Sequence, residues 1–201
     1  MKTWIDIDAS ELPRLAPRTH PLWWGILSAV AIEAAVVANL LASYFYLMAQ
    51  TEGPWPPAGT EAPPILWPTV FLVLLPLSSV TMWWAGRGSD RGDKRQLAIG
   101  VTASVGLALL ALVARSFQIA SFDVKWSDSA YGSILWTITG FHFTHVVSAI
   151  LGTAVVAVYA WRGYFNPARQ LGVIVDTLYW YFVAGIFVPI YLVLILAPRI
   201  L

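Results

Sequence analysis

Five long apolar stretches, parted by short polar or charged loops, decide what this chain can fold into. They run over about Leu22–Met48, Ile65–Ala85, Leu97–Phe122, Tyr131–Trp161 and Leu171–Ala197. A helix crosses the hydrocarbon core with roughly 20 mainly apolar residues, because its backbone groups are all satisfied within the segment. Each stretch is long enough. A closed barrel would need many short segments of alternating polarity, and the chain shows none. The expectation is an all-α membrane protein with five transmembrane helices. Residues 22–201 make up the membrane domain, and residues 1–21 a polar cytoplasmic tail. That tail carries Asp6, Asp8 and Glu11 and no cleavable apolar core, so a secretory signal is not expected.

Hydrophobic residues make up 58% of the chain and charged residues 11%. A soluble domain carries roughly 25% charge, so most of this surface must face lipid. A formal net charge of +1 gives no sign of a nucleic-acid partner. The absence of cysteine excludes disulfides, thiolate metal sites and thiol catalysis. Basic residues set the orientation. With the N-terminus inside, the inner segments hold Lys2, Arg14, Arg18, Arg87, Arg91, Lys94, Arg95, Arg162 and Arg169, and the outer ones only Lys125 and Arg199. That bias places the N-terminus inside and the C-terminus outside. Trp23, Trp24, Trp67, Trp83, Trp84, Trp126, Trp136 and Trp161 fall near helix ends, as an interfacial belt requires.

The loop from Ala49 to Pro64 is rich in proline and should be extended. Gly86–Gln96 is charged and should form a tight solvated turn. Asp128 or Ser129 is a candidate N-cap for the fourth helix. Pro76 and Pro189 lie within spans and are expected to kink them. Small residues four apart mark two candidate helix seams. One is Gly100, Ser104 and Ala108; the other is Gly140, Thr144, Ser148 and Gly152.

Ionisable side chains at membrane depth are functional candidates by default. Glu33 lies eleven residues past Leu22, about 16 Å into the membrane at 1.5 Å per residue. It fits either a proton or lipid-contact site, or an acid hydrogen-bonded to a neighbouring helix. Arg115 is seven residues before Phe122, close enough to the outer end to snorkel there. It stands roughly 10 Å above Glu33, too far for a direct pair. Asp176, near the start of the fifth helix, suits that helix end and is expected at the interface. His142 and His145 are three apart on one helix, and the third histidine, His20, is in the tail. Haem held by two axial histidines needs ligands from two sides, so this inventory does not supply it. A metal needs further ligands, and no acid lies on that helix face. Both histidines are therefore expected to be packed and hydrogen-bonded. No nucleophile–base set, phosphate loop or metal motif is visible. A five-helix membrane protein without chemistry of its own suggests a subunit.

At Thr139-Gly-Phe-His-Phe-Thr-His-Val-Val the chain resembles subunit III of the haem–copper (cytochrome c) oxidases, whose pattern here is Thr-Gly-Phe-His-Gly-x-His-Val. Ser127-Asp-Ser-Ala-Tyr-Gly-Ser resembles the family's outer loop entering that helix. Tyr179-Trp180-Tyr181-Phe182-Val183 is similar to its Tyr-Trp-His-Phe-Val-Asp, and Glu33 matches its membrane-embedded glutamate. Ala42-Ser-Tyr-Phe-Tyr-Leu and Ser79-Val-Thr-Met-Trp-Trp-Ala are weaker matches, and the likeness covers about residues 22–201. The resemblance implies the short five-helix bacterial form, in the inner membrane. It implies a non-catalytic accessory subunit beside catalytic subunit I and subunit II, which would carry the haem and copper. It also implies bound phospholipid and support of proton uptake in aerobic respiration. Glu33, Arg115, His142, His145, Tyr179 and Trp180 become the structural, lipid or interface candidates. The chain departs from the pattern at Phe143 (glycine), Tyr181 (histidine), Ala184 (aspartate), Ile174 (glutamate), and Arg115 and Gln118 (glutamine and glutamate). Alternatives are an accessory subunit of a quinol oxidase or nitric oxide reductase, or a small ion transporter using Glu33.

Overall fold

The computed structural model describes residues 19–200, so residues 1–18 of the expected tail lie outside the described part. Every regular element among the described residues is helical. The helices are α1 (Pro21–Gln50), α2 (Leu66–Arg91), α3 (Lys94–Ala120), α4 (Ala130–Trp161) and α5 (Leu171–Tyr191). Helix α5 runs on through a π-wound stretch, Leu192–Leu196, into a final turn, Ala197–Ile200. All five are long and apolar enough to cross a membrane. Large apolar side chains such as Ile32, Val73, Leu110 and Leu151 cover the outside, as a lipid-facing surface requires.

Helix ends follow local chemistry. Pro21 occupies the first turn of α1, where its missing N–H is no loss, and the His20 ring accepts from the Leu22 amide at 3.1 Å. The charged segment Gly86–Gln96 is mostly helix, and the expected tight turn is confined to its middle. Helix α2 continues through Arg87, Asp90 and Arg91, and only Gly92 and Asp93 break the chain before α3. Gly92 has φ +74°, a left-handed conformation that suits glycine, and Asp93 accepts from the Gln96 amide at 2.9 Å to cap α3. Ser129 caps α4 by accepting from Gly132 at 3.1 Å, while Asp128 takes the Lys125 amide instead. Pro76 and Pro189 both remain within continuous helix.

The α2–α3 hairpin is the tightest seam. A Cβ on Gly100 would lie 2.7 Å from the Ala85 Cβ, so only glycine permits this approach. Ser104 and Ala108 continue the same buried face. The first small-residue seam is therefore internal. The second is not: Thr144, Ser148 and Gly152 are exposed and Gly140 half-buried, so that ridge of α4 faces out of the bundle. Helix α5 crosses α2 through Phe71 and Phe187, whose ring centroids are 4.6 Å apart. It also meets α2 where the Thr69 and Tyr191 hydroxyls pair at 2.8 Å. Helix α1 is peripheral, burying only Val37 and Tyr44.

The proline-rich loop between α1 and α2 is turned, not extended. Thr60 donates its amide to Pro57 at 2.9 Å, and the Pro63 carbonyl accepts from Arg199. Trp55, before a cis peptide bond to Pro56, fits edge-on between Tyr44 and Tyr131. Three aromatic rings thus hold the loop against the ends of α1 and α4.

Candidate functional site

Three clusters of polar side chains inside the bundle bear on function. At the first, Ser78 of α2 ties three helices together. Its hydroxyl donates to Leu75 at 2.6 Å and accepts from the Trp180 indole of α5 at 2.8 Å. Its carbonyl accepts from Ser104 of α3 at 2.9 Å. Ser78, Ser104 and Trp180 are all buried. Interhelical hydrogen bonds replace water as glue in such a medium.

The second cluster joins α1, α4 and α5. Glu33 Oε2 lies 3.4 Å from His145 Nε2. The other ring nitrogen, Nδ1, sits 2.6 Å from the Phe141 carbonyl, which only accepts, so Nδ1 carries a proton and donates. Nε2 is therefore the nitrogen turned on the carboxyl. The Tyr179 hydroxyl lies beside both Glu33 and Ser148. The two side chains keep partial exposure, 18% for His145 and 23% for Glu33, so the cluster opens on the bundle's outer face. The exposed Thr144 and Ser148 flank it.

The third cluster is deep. Arg115 of α3 is 1% exposed, against the expectation that it snorkels. Helical side chains tilt toward the helix N-terminus. The nearer end of α3 is its C-terminus, so Arg115 is aimed away from that interface and into the bundle. Its guanidinium lies 5.3 Å from the Phe71 ring centre and 5.1 Å from that of Phe187, and Nη1 donates to Gln118 at 2.5 Å. His142 touches the same two rings, and its Nε2 meets the Val183 carbonyl at 3.0 Å.

Both histidines are packed and hydrogen-bonded, as expected, but they do not share a neighbourhood. At 100° per residue their directions differ by about 60°, which sends His142 toward α5 and His145 toward α1. No acid lies on that face of α4 itself, but α1 brings Glu33 to His145 from another helix. Glu33 and Arg115 do not pair. Asp176 is tied to a neighbouring helix. It lies in the second turn of α5, outside the first turn where the helix dipole acts, and accepts from Thr153 of α4 at 3.0 Å. Tyr181 and Ile174 line a cavity of about 230 Å³ between α1, α2 and α5, together with Trp23, Asp90 and Gln170. Ala184 is buried in the core. Among the described residues no group of three His, Cys, Asp or Glu side chains is placed to hold a metal ion.

Sequence reasoning missed the Ser78 hub and the Glu33–His145 pair. Depth counted from the shared end would have found the pair. Glu33 is 17 residues before Gln50, about 25 Å, and His145 is 15 past Ala130, about 22 Å. The hub had no comparable signal, since a lone serine in an apolar helix looks like any other.

Fold and clusters together define a multi-pass membrane helix bundle stabilised by buried polar ties. The family model for cytochrome c oxidase subunit III matches residues 17–197. A cytochrome c oxidase subunit 3 of Gallus gallus is 29% identical over 178 residues, 85% of this chain and 67% of that one. A probable cytochrome c oxidase subunit 3 of Mycobacterium tuberculosis is 29% identical over 173 residues, covering 85% of each chain. One from Emericella nidulans is 33% identical over 147 residues, 69% of this chain and 52% of that one. The chain belongs to the cytochrome c oxidase subunit III family, whose members are accessory subunits of haem–copper oxidases.

Proposed function

We propose that this chain is the non-catalytic third subunit of a terminal haem–copper oxidase in a bacterial inner membrane, with its N-terminus inside. In that role it packs beside the catalytic subunit, which with subunit II carries the haem and copper, and supports that subunit's proton uptake and lasting turnover. The observation that carries this reading, beyond family membership, is the Glu33–His145–Tyr179 cluster. It is polar, lies near the middle of the α1 and α4 spans and opens outward beside an exposed ridge of α4. A polar group at that depth needs cover from protein or a lipid head group, and a neighbouring subunit supplies it. The largely apolar cavity at Trp23, Ile174 and Tyr181 suits a phospholipid chain, with Asp90 and Gln170 on its polar side.

The test is purification through a tag on this chain in mild detergent. A large partner with a haem absorption spectrum should come with it; a colourless chain without such a partner overturns the assignment. Glu33→Gln should leave that complex assembled and shorten its active lifetime during turnover. Inactivation kinetics equal to those of the unaltered complex would remove the role given to Glu33.

A further inference from the structure

Arg115 presents a problem that the oxidase role does not solve. A guanidinium keeps its charge in proteins. Here it is 1% exposed within a lipid-facing bundle. Among the described residues no carboxylate forms an ion pair with it. Glu33 is engaged with His145, and Asp176 with Thr153. Its Nη1 is bonded to the neutral Gln118, while Nε and Nη2 are buried and have no acceptor. The Gln118 Nε2 group is likewise buried without an acceptor. The ring faces of Phe71 and Phe187 offset part of a cation's desolvation, but they do not neutralise it.

Every unpaired group on Arg115 and Gln118 is a donor. His142, against the same two phenylalanine rings, is no counter-ion: its Nε2 meets the accepting Val183 carbonyl, and an imidazole carries no negative charge. Thr139, one turn before His142 on the same face of α4, adds a buried hydroxyl without a partner. One full positive charge with surplus donors and no internal counter-ion calls for an anion. Arg115 is 1% exposed and Gln118 fully buried, which favours a small anion over a bulky one.

We propose that Arg115 and Gln118 hold a halide ion, chloride in the cell, inside the helix bundle. The ion accepts from Arg115 Nε and Nη2 while Gln118 holds Nη1, and it ties α3 to the aromatic contact between α2 and α5.

The protein, purified in its complex or as the full chain, is melted in sodium gluconate and in sodium chloride of equal ionic strength. Saturating chloride should raise the melting temperature by roughly 5 °C, since a ligand that binds only the folded state stabilises it. Arg115→Met should abolish the difference, and Gln118→Leu should weaken the chloride dependence. Should Arg115→Met fail to fold, crystals of the unaltered protein grown in bromide decide the matter. An anomalous peak within hydrogen-bonding distance of Arg115 Nε and Nη2 supports the site. A melting temperature indifferent to chloride, or water density at that position without an anomalous peak, overturns the proposal.

Discussion

Replacing Ser78 by alanine removes one oxygen atom and should loosen α5 against α2. That oxygen accepts from the Trp180 indole at 2.8 Å and donates to Leu75 at 2.6 Å, and Ser78 itself is fully buried. The lost volume is small, so the dominant effect is the orphaned indole N–H, with Trp180 only 1% exposed. An unsatisfied buried donor costs about 1–3 kcal/mol. Interhelical hydrogen bonds in membranes average about 0.6 kcal/mol and reach about 1.7. The two ranges overlap between roughly 1 and 1.7 kcal/mol, which is the expected loss. At about 2–4 °C per kcal/mol for a chain of this size, the melting temperature should fall by roughly 2–7 °C. The Ser104–Ser78 bond uses the Ser78 backbone carbonyl and survives the change, so α2 and α3 should stay paired. Thermal melting of the detergent-purified protein, run as a double-mutant cycle with Trp180→Phe, isolates the pair. Trp180→Phe alone should cost more than Ser78→Ala because it also opens a cavity. The coupling energy should be about 0.6–1.7 kcal/mol. Strictly additive single mutants would refute the hub, because the two side chains would then share no interaction.

Gly100→Ala should destabilise by about 1–3 kcal/mol, because its Cβ would meet Ala85 Cβ at 2.7 Å with backbone behind it; an unchanged melting temperature would show that the α2–α3 approach is looser. Gly92→Ala should cost about 1 kcal/mol, since φ there is +74°, whereas Gly106→Ala, where a Cβ meets nothing within 4 Å, should be neutral or slightly stabilising in the same melt. His145→Ala should loosen α1 against α4 and leave the haem bands of the purified complex in place; a lost haem band would mean that this side chain does more than pack.

The spans were legible in the sequence because length and apolar content are what the bilayer demands, and all five helices fall on the apolar stretches. The ends were less legible where charge was the guide. Arg87, Asp90 and Arg91 look like loop, yet α2 continues through them, because a helix leaving the membrane keeps its hydrogen bonds while its side chains reach water. Site residues could be named but not placed. Distance to a helix end suggested that Arg115 would reach water, whereas the tilt of a helical side chain toward the N-terminus sends it inward. Three-residue spacing put His142 and His145 on one face, whereas 60° is enough to give one to α5 and the other to α1.

The two small-residue ridges make the same point about helix faces. Gly100, Ser104 and Ala108 repeat every four residues, and so do Gly140, Thr144, Ser148 and Gly152. One ridge is buried against α2 and the other looks out of the bundle. Their hydroxyls differ in the same sense. Ser104 donates across to Ser78 on another helix, while Thr144 and Ser148 donate back to Gly140 and His145 within α4. Hydroxyls turned onto their own helix leave a smooth surface with no exposed donor, which suits close packing against a further helix. The Glu33–His145 pair lies beside that surface and is only partly covered by α1. A face smooth enough for another helix, next to a polar pair that hydrocarbon would penalise, is what a subunit needs to be held at one place and one depth in the membrane.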